Sequence, residues 1–204
     1  NLSLVFRDVH TVLFLVDSSK AMNAVVKEAN QKKFEFAKDI VKQITQRIPD
    51  ETACGLRMIG NRSKTLNPVE CAKDTELAVP VGPNQKSVVL EQLDNAQPTA
   101  PVSPLTVALK EACEKDLPKS EAPRILVLIT TGDTCGGNPK QYLDSLPAGS
   151  LDSCFLAVVS LAEPLQTTPY QIELLKNIVK DRSGKYYDAS SIPVLLNDIR
   201  RMTK

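Results

Sequence analysis

Histidine is almost absent: the 204 residues contain one, His10. Any serine or cysteine nucleophile needing an imidazole base would have to use that single ring. Its place directly before an apolar run reads instead as that of a polar residue opening a strand. Phosphate-cradling loops are missing too. The eight glycines never form GxGxxG or GxxxxGK[ST], and no GxSxG elbow occurs, so nucleotide chemistry and serine hydrolysis lose their usual frameworks. There is no tryptophan and aromatic residues make up 4%, too few for the stacking platforms that hold single-stranded nucleic acid. An excess of one charge is lacking as well: 25 Lys and Arg stand against 24 Asp and Glu, a formal net charge of +1. That balance provides no field to attract nucleic acid or an anionic membrane surface. The longest apolar runs, at 11–16 and 125–129, fall far short of the roughly 20 residues that cross a bilayer, which argues against direct membrane insertion. Five cysteines, at 54, 71, 113, 135 and 154, are too few for a disulfide scaffold and show no CxxC metal spacing. No catalytic residue is assigned, and the chain is not expected to be an enzyme.

What is present is the balance of a folded globular protein, 42% hydrophobic and 24% charged. A length of 204 residues suits one large domain, expected to span 1–204. Residues 9–17 read as a buried strand, β-branched and leucine-rich, that stops abruptly at Asp17-Ser18-Ser19. Over 32–48 the apolar positions Phe34, Ala37, Ile40, Val41, Ile44 and Ile48 recur at helical spacing until Pro49. Strands follow at 55–59 and at 76–81, the latter an edge strand. After a short helix at 85–93, Pro98, Pro101 and Pro104 hold an extended path until Ser103 is expected to cap a helix running to about Leu117, with Pro104 at its first position. A second wholly apolar strand, 124–130, ends at the polar turn Thr131-Gly132-Asp133-Thr134. A helix at 139–146, a strand at 154–161, a helix at 169–180, a strand at 185–188 and a helix at 192–202 complete the pattern. Strands alternating with helices predict an α/β fold, a doubly wound Rossmann-like three-layer sandwich. Its central sheet should have about six mainly parallel strands and one antiparallel edge strand, with helices on both faces. Two glycosylation sequons, Asn1-Leu2-Ser3 and Asn61-Arg62-Ser63, are expected by chance in a chain of this length.

In such sheets ligands sit beyond the carboxyl ends of the central strands. Three segments should meet there: 17–21, 103–105 and 130–133, each rich in small oxygen ligands suited to a hard cation. An apolar strand running into D-x-S, an amphipathic helix, an S-P-L helix start and an apolar strand running into T-x-G-D occur in that order along nearly the whole chain. The sequence thereby resembles the von Willebrand factor A domain family, in a bacterial form.

The resemblance implies a metal-ion-dependent adhesion site built from D-x-S-x-S, a distant hydroxyl and an aspartate in a later turn. Asp17, Ser19 and Ser103 match. Ala21 stands where the second serine belongs and Thr131 where the aspartate belongs, with Asp133 two residues on as a substitute carboxylate. A site so depleted is expected to be degenerate, holding Mg or Mn weakly or not at all. The implied function is noncatalytic protein binding through the loops at the carboxyl ends of the central strands, with Lys20, Met22, Pro101, Pro104, Thr134 and Asn138 as candidate contacts. Two alternatives remain: binding that depends on Mg or Mn, and a structural subunit touching its neighbours through helices or a sheet edge. The partner is another protein, not nucleic acid. Cys71 and Cys135 fall on the loop side in the implied topology, where they either form a disulfide or stay free. Cys54, Cys113 and Cys154 read as buried, inert thiols. The resemblance, with a first residue that is not methionine, favours an exported location, periplasmic or at the cell surface.

Overall fold

A computed structural model describes residues 6–27, 29–62, 67–162 and 169–204. Asn1 to Ser3 and Ser63, which carry parts of the two sequons, lie outside the described residues.

The seven residues of β1 (Thr11–Asp17) are all buried, as continuous apolarity requires of a strand covered on both faces. A small antiparallel hairpin, β2 (Val25–Val26) and β3 (Gln31–Lys32), which the sequence pattern did not reveal, precedes α1 (Lys33–Thr45). The chain continues through β4 (Ala53–Ile59), the single-turn α2 (Pro68–Cys71), β5 (Thr75–Gly82), α3 (Lys86–Asn95) and α4 (Leu105–Glu111). Then come β6 (Arg124–Thr130), α5 (Pro139–Ser145), β7 (Cys154–Ser160), α6 (Pro169–Val179), β8 (Gly184–Tyr187) and α7 (Ile192–Met202).

The sheet has six strands in the order β5-β4-β1-β6-β7-β8. All neighbours pair in parallel except β4 and β5, so the antiparallel strand lies at the edge. That edge is interrupted by the exposed Pro80, and the opposite edge strand has only four residues. Alternation divides the core in two. Val12, Phe14 and Val16 of β1 point into one cluster with Phe34, Ile40 and Ile44 of α1, Val89 and Leu93 of α3, and Leu195 and Ile199 of α7. Leu13 and Leu15 point the other way, into a cluster with Leu105 and Leu109 of α4, Leu143 of α5 and Leu175 of α6. The fold is the three-layer α/β sandwich that the alternating pattern implied.

One local expectation fails and another holds in part. Ser103 does not cap α4: Pro104 occupies that position with no side-chain hydrogen bond, because the Ser103 hydroxyl is committed elsewhere. The helical path does reach Leu117, as expected, but not as one α-helix. It widens into a π-helical turn at Ala112–Asp116 and tightens at Leu117–Lys119. The widened turn accompanies a buried ion pair, in which Arg57 of β4 donates Nε to Oδ2 of Asp116 at 2.7 Å and an Nη2 hydrogen to Oδ1 at 3.0 Å.

Candidate functional site

β1 has β4 on one side and β6 on the other, and the chain order reverses there. That is the switch point where the carboxyl ends of neighbouring strands leave a crevice between diverging loops. Asp17 is the last residue of β1 and Thr130 the last of β6. The carboxylate of Asp17 is fully buried. Its Oδ1 accepts the backbone N–H of Ser19 at 2.8 Å and the hydroxyl of Ser103 at 2.6 Å, and its Oδ2 accepts the hydroxyl of Thr130 at 2.7 Å. The Thr130 oxygen in turn accepts the N–H of Gly132 at 3.0 Å. One carboxylate thus ties the β1 end, the approach to α4 and the turn after β6 into one unit.

Backbone bonds lace the same three loops. Lys20 donates to the Ala100 carbonyl at 2.7 Å, Thr99 to that of Ser18 at 3.1 Å, and Cys135 to that of Ser103 at 2.9 Å. Gly60 allows the crossing: with φ at +71° it sits where an added Cβ would lie 3.1 Å from the Val102 carbonyl oxygen. Gly132 serves the turn after β6 similarly, at φ +81°, where a Cβ would crowd Leu175 at 3.1 Å. A disulfide between Cys71 and Cys135 joins the end of α2 to this turn.

Ser19 is fully buried, yet its hydroxyl has no hydrogen-bond partner. A buried hydroxyl left alone costs about 1–3 kcal/mol. Thr131 is also buried, its hydroxyl accepting the Asp133 N–H at 3.5 Å. Asp133 is half-buried, and burial, reinforced by the charge of Asp17, raises its carboxyl above the usual aspartate range. Among the described residues no group of three or more His, Cys, Asp or Glu could hold a metal ion; the oxygens gathered here are chiefly hydroxyls.

The candidate contacts separate by exposure. Lys20 is exposed, and Pro101, Thr134 and Asn138 are half-buried on the rim. Met22 is fully buried in the core and Pro104 is buried under the loops, so neither presents a side chain to a partner. Asn138 has a structural task, capping α5 by accepting the N–H groups of Lys140 at 2.9 Å and Gln141 at 3.4 Å. Thr130 fell within the 130–133 segment expected at the site but was not singled out as one of its residues. The signal was available: like Asp17, it is a polar residue closing a wholly apolar strand, and Ser160 of β7 repeats the pattern in register beside it. Cys54 and Cys154 are buried, and desolvation pushes both thiols up to about 12. Cys113 is half-buried, and its thiol is raised as far by the same cause. None of the three is set up as a nucleophile.

The profile of the von Willebrand factor type A domain matches residues 11–201. The chain belongs to that family. The vWA family is one of protein-interaction and adhesion modules. Among curated proteins the chain is similar to the uncharacterized protein YwmD of Bacillus subtilis, 27% identical over 146 residues, which cover 70% of this chain. The chain spans 64% of that relative's length. Among solved structures it is similar to the conserved hypothetical protein BatB of Bacteroides thetaiotaomicron, with a TM-score of 0.71 at 15% identity over 94% of this chain and 98% of that one. It is also similar to the pilus adhesin SpaC of Lactobacillus rhamnosus GG, with a TM-score of 0.65 at 13% identity, covering 96% of this vWA chain and 30% of the adhesin.

Proposed function

We propose that this vWA domain is a noncatalytic protein-binding module whose partner docks on the loop face above Asp17. The observation that carries the reading is the lacing of three loops around one buried carboxylate at the switch point. It holds Lys20, Pro101, Asp133 and Thr134 on a preorganised rim, and a rigid rim loses little entropy on binding. Membership of an interaction family and the likeness to a pilus adhesin agree with it. The Cys71–Cys135 disulfide supports an oxidising compartment outside the cytoplasm. Among the described residues no helix is long and apolar enough to cross a membrane. Photo-crosslinking residues placed at Lys20 and Thr134 should capture one protein that the same probe at the exposed Lys180, beyond α6, does not. Capture at Lys180 with silence at the rim would move the interface elsewhere.

The Ser19 hydroxyl favours a second reading, in which the contact needs a divalent cation. The residues fit a weak site. Ser103 donates its proton to Asp17 and keeps lone pairs free, Ser19 has no competing partner, and a cation would relieve the repulsion between Asp17 and Asp133. Ser19, Ser103 and Asp17 would hold Mg²⁺ or Mn²⁺, and a carboxylate of the partner would complete the shell. The ion would supply a positive anchor for acidic groups. Asp17→Ala strands two buried hydroxyls, so Ser19→Ala is the cleaner variant, since it removes a hydroxyl that bonds to nothing. Calorimetric titration of the chelator-stripped protein should show saturable Mn²⁺ binding that Ser19→Ala abolishes, with thermal stability kept or raised. No heat at millimolar ion would leave the metal-independent reading.

A further inference from the structure

Away from the loop face, a groove of about 570 Å³ runs between α1 and α7, floored by Phe36, Ile192, Pro193 and Leu196 and flanked by Arg47 and Arg200. No carboxylate lines it. Both arginines are exposed, and neither makes an ion pair among the described residues; Arg47 gives one N–H to the Gln43 carbonyl at 2.8 Å. An apolar floor ending in two unmatched guanidinium groups is complementary to a segment with an apolar stripe and carboxylates at one end.

We infer that this groove docks an acidic amphipathic helix of a partner protein. The floor is laid out in helical repeats on both walls: Phe36 and Gln43 along α1, and Ile192, Leu196 and Arg200 along α7. At 1.5 Å per residue the Ile192 to Arg200 wall is about 12 Å long, room for about two turns of a third helix lying against the pair. Ile192 and Leu196 are buried at the base of the groove, and the half-buried Phe36 and exposed Pro193 are the apolar surface left for an incoming stripe to cover. The guanidinium groups lie toward the carboxyl-terminal ends of both helices, and the adjoining Arg201 adds positive charge there. Acidic residues in the first turn of the incoming helix would satisfy both their own helix dipole and this cationic end. The surface is separate from the Asp17 loops, so the inference stands or falls without the loop-face reading.

The probe is a synthetic helical peptide with a leucine stripe and glutamates over its first turn, fluorescently labelled, with a twin carrying lysines in place of the glutamates. Anisotropy titration should show saturable binding of the acidic peptide, weaker at higher salt, and tenfold or more poorer binding of the lysine twin. The Arg47→Glu/Arg200→Glu protein should lose the acidic peptide by at least tenfold and gain the twin. Both substitutions are on exposed side chains, and an unchanged unfolding temperature would show that the fold is kept. Equal affinity for the two peptides, equal binding by the double variant, or binding to anionic phosphatidylglycerol vesicles with the peptides silent would overturn the inference.

Discussion

Arg57 shows how much one buried charge can constrain. It sits in a strand whose other residues are nearly all apolar, 6% exposed, against an Asp116 side chain that is 3% exposed. The guanidinium meets the carboxylate through two hydrogen bonds and gives a third, Nη1 to the Thr75 hydroxyl at 3.2 Å. Removing the carboxylate strands a cation inside the second core cluster. Asp116→Ala is therefore expected to cost about 3–5 kcal/mol, while Arg57→Met combined with Asp116→Leu should recover most of that loss, because packed apolar groups replace a buried pair at little net cost. Urea denaturation of the wild type, the single variant and the double variant measures this. A double variant as unstable as the single one would show that the pair holds the π-helical turn in place by more than its charge. Asp17 follows a different logic. Its partners are neutral hydroxyls and an amide, so the carboxylate organises loops instead of neutralising a cation.

Among the elements, the short α2 gains its importance from Cys71. The bridge to Cys135 closes a loop with a sequence separation of 64, for which chain entropy gives a stabilisation of about 4 kcal/mol. Cys71→Ser with Cys135→Ser, or reduction, should lower stability by up to that amount in guanidinium denaturation. It should also speed proteolysis of the turn after β6, which Cys135 anchors two residues beyond Asp133. A variant as stable as the wild type would mean that the backbone bonds between Ser103 and this turn suffice to hold it. The strands were the most legible elements. The apolar strands expected at 9–17, 124–130 and 154–161 are β1, β6 and β7, and the helix expected at 192–202 is α7. The helix after Ser103 was misread at its start, and its change of type went unseen, for physical reasons. Ser103 has the residue type of a helix cap, but a buried carboxylate 86 positions earlier in the chain claims its hydroxyl. The π-helical turn contains Asp116, whose partner Arg57 lies 59 positions away, so no local pattern reports the pairing. Met22 looked like a loop contact and is core, since the loop after β1 folds back onto α1. The resemblance pointed to Asp17, Ser19 and Ser103, which the structure brings together, yet the isolation of the Ser19 hydroxyl is a matter of three-dimensional packing alone.

For the whole molecule, stability should follow the layering. β1 is flanked by paired strands and covered on both faces, so the amides of β1, β6 and β7 should be the slowest to exchange with deuterium. The rim at 97–104 and 131–138 should exchange well before them despite its lacing. Hydrogen exchange followed by mass spectrometry resolves these segments. Exchange in β1 as fast as in the rim would indicate that the sheet opens from its centre. The groove between α1 and α7 lies on the layer opposite α4, α5 and α6, so a partner held there would leave the other helical layer free.

The borders of the sheet have a consequence for crowding. One border carries an exposed Pro80 in its only antiparallel strand and the other stops after four residues, so neither offers a long row of free peptide groups to another copy. Many copies can then stand side by side without zipping into a continuous β-structure. Whatever order such an array acquires would be dictated by side chains on the loops and helices, not by the backbone.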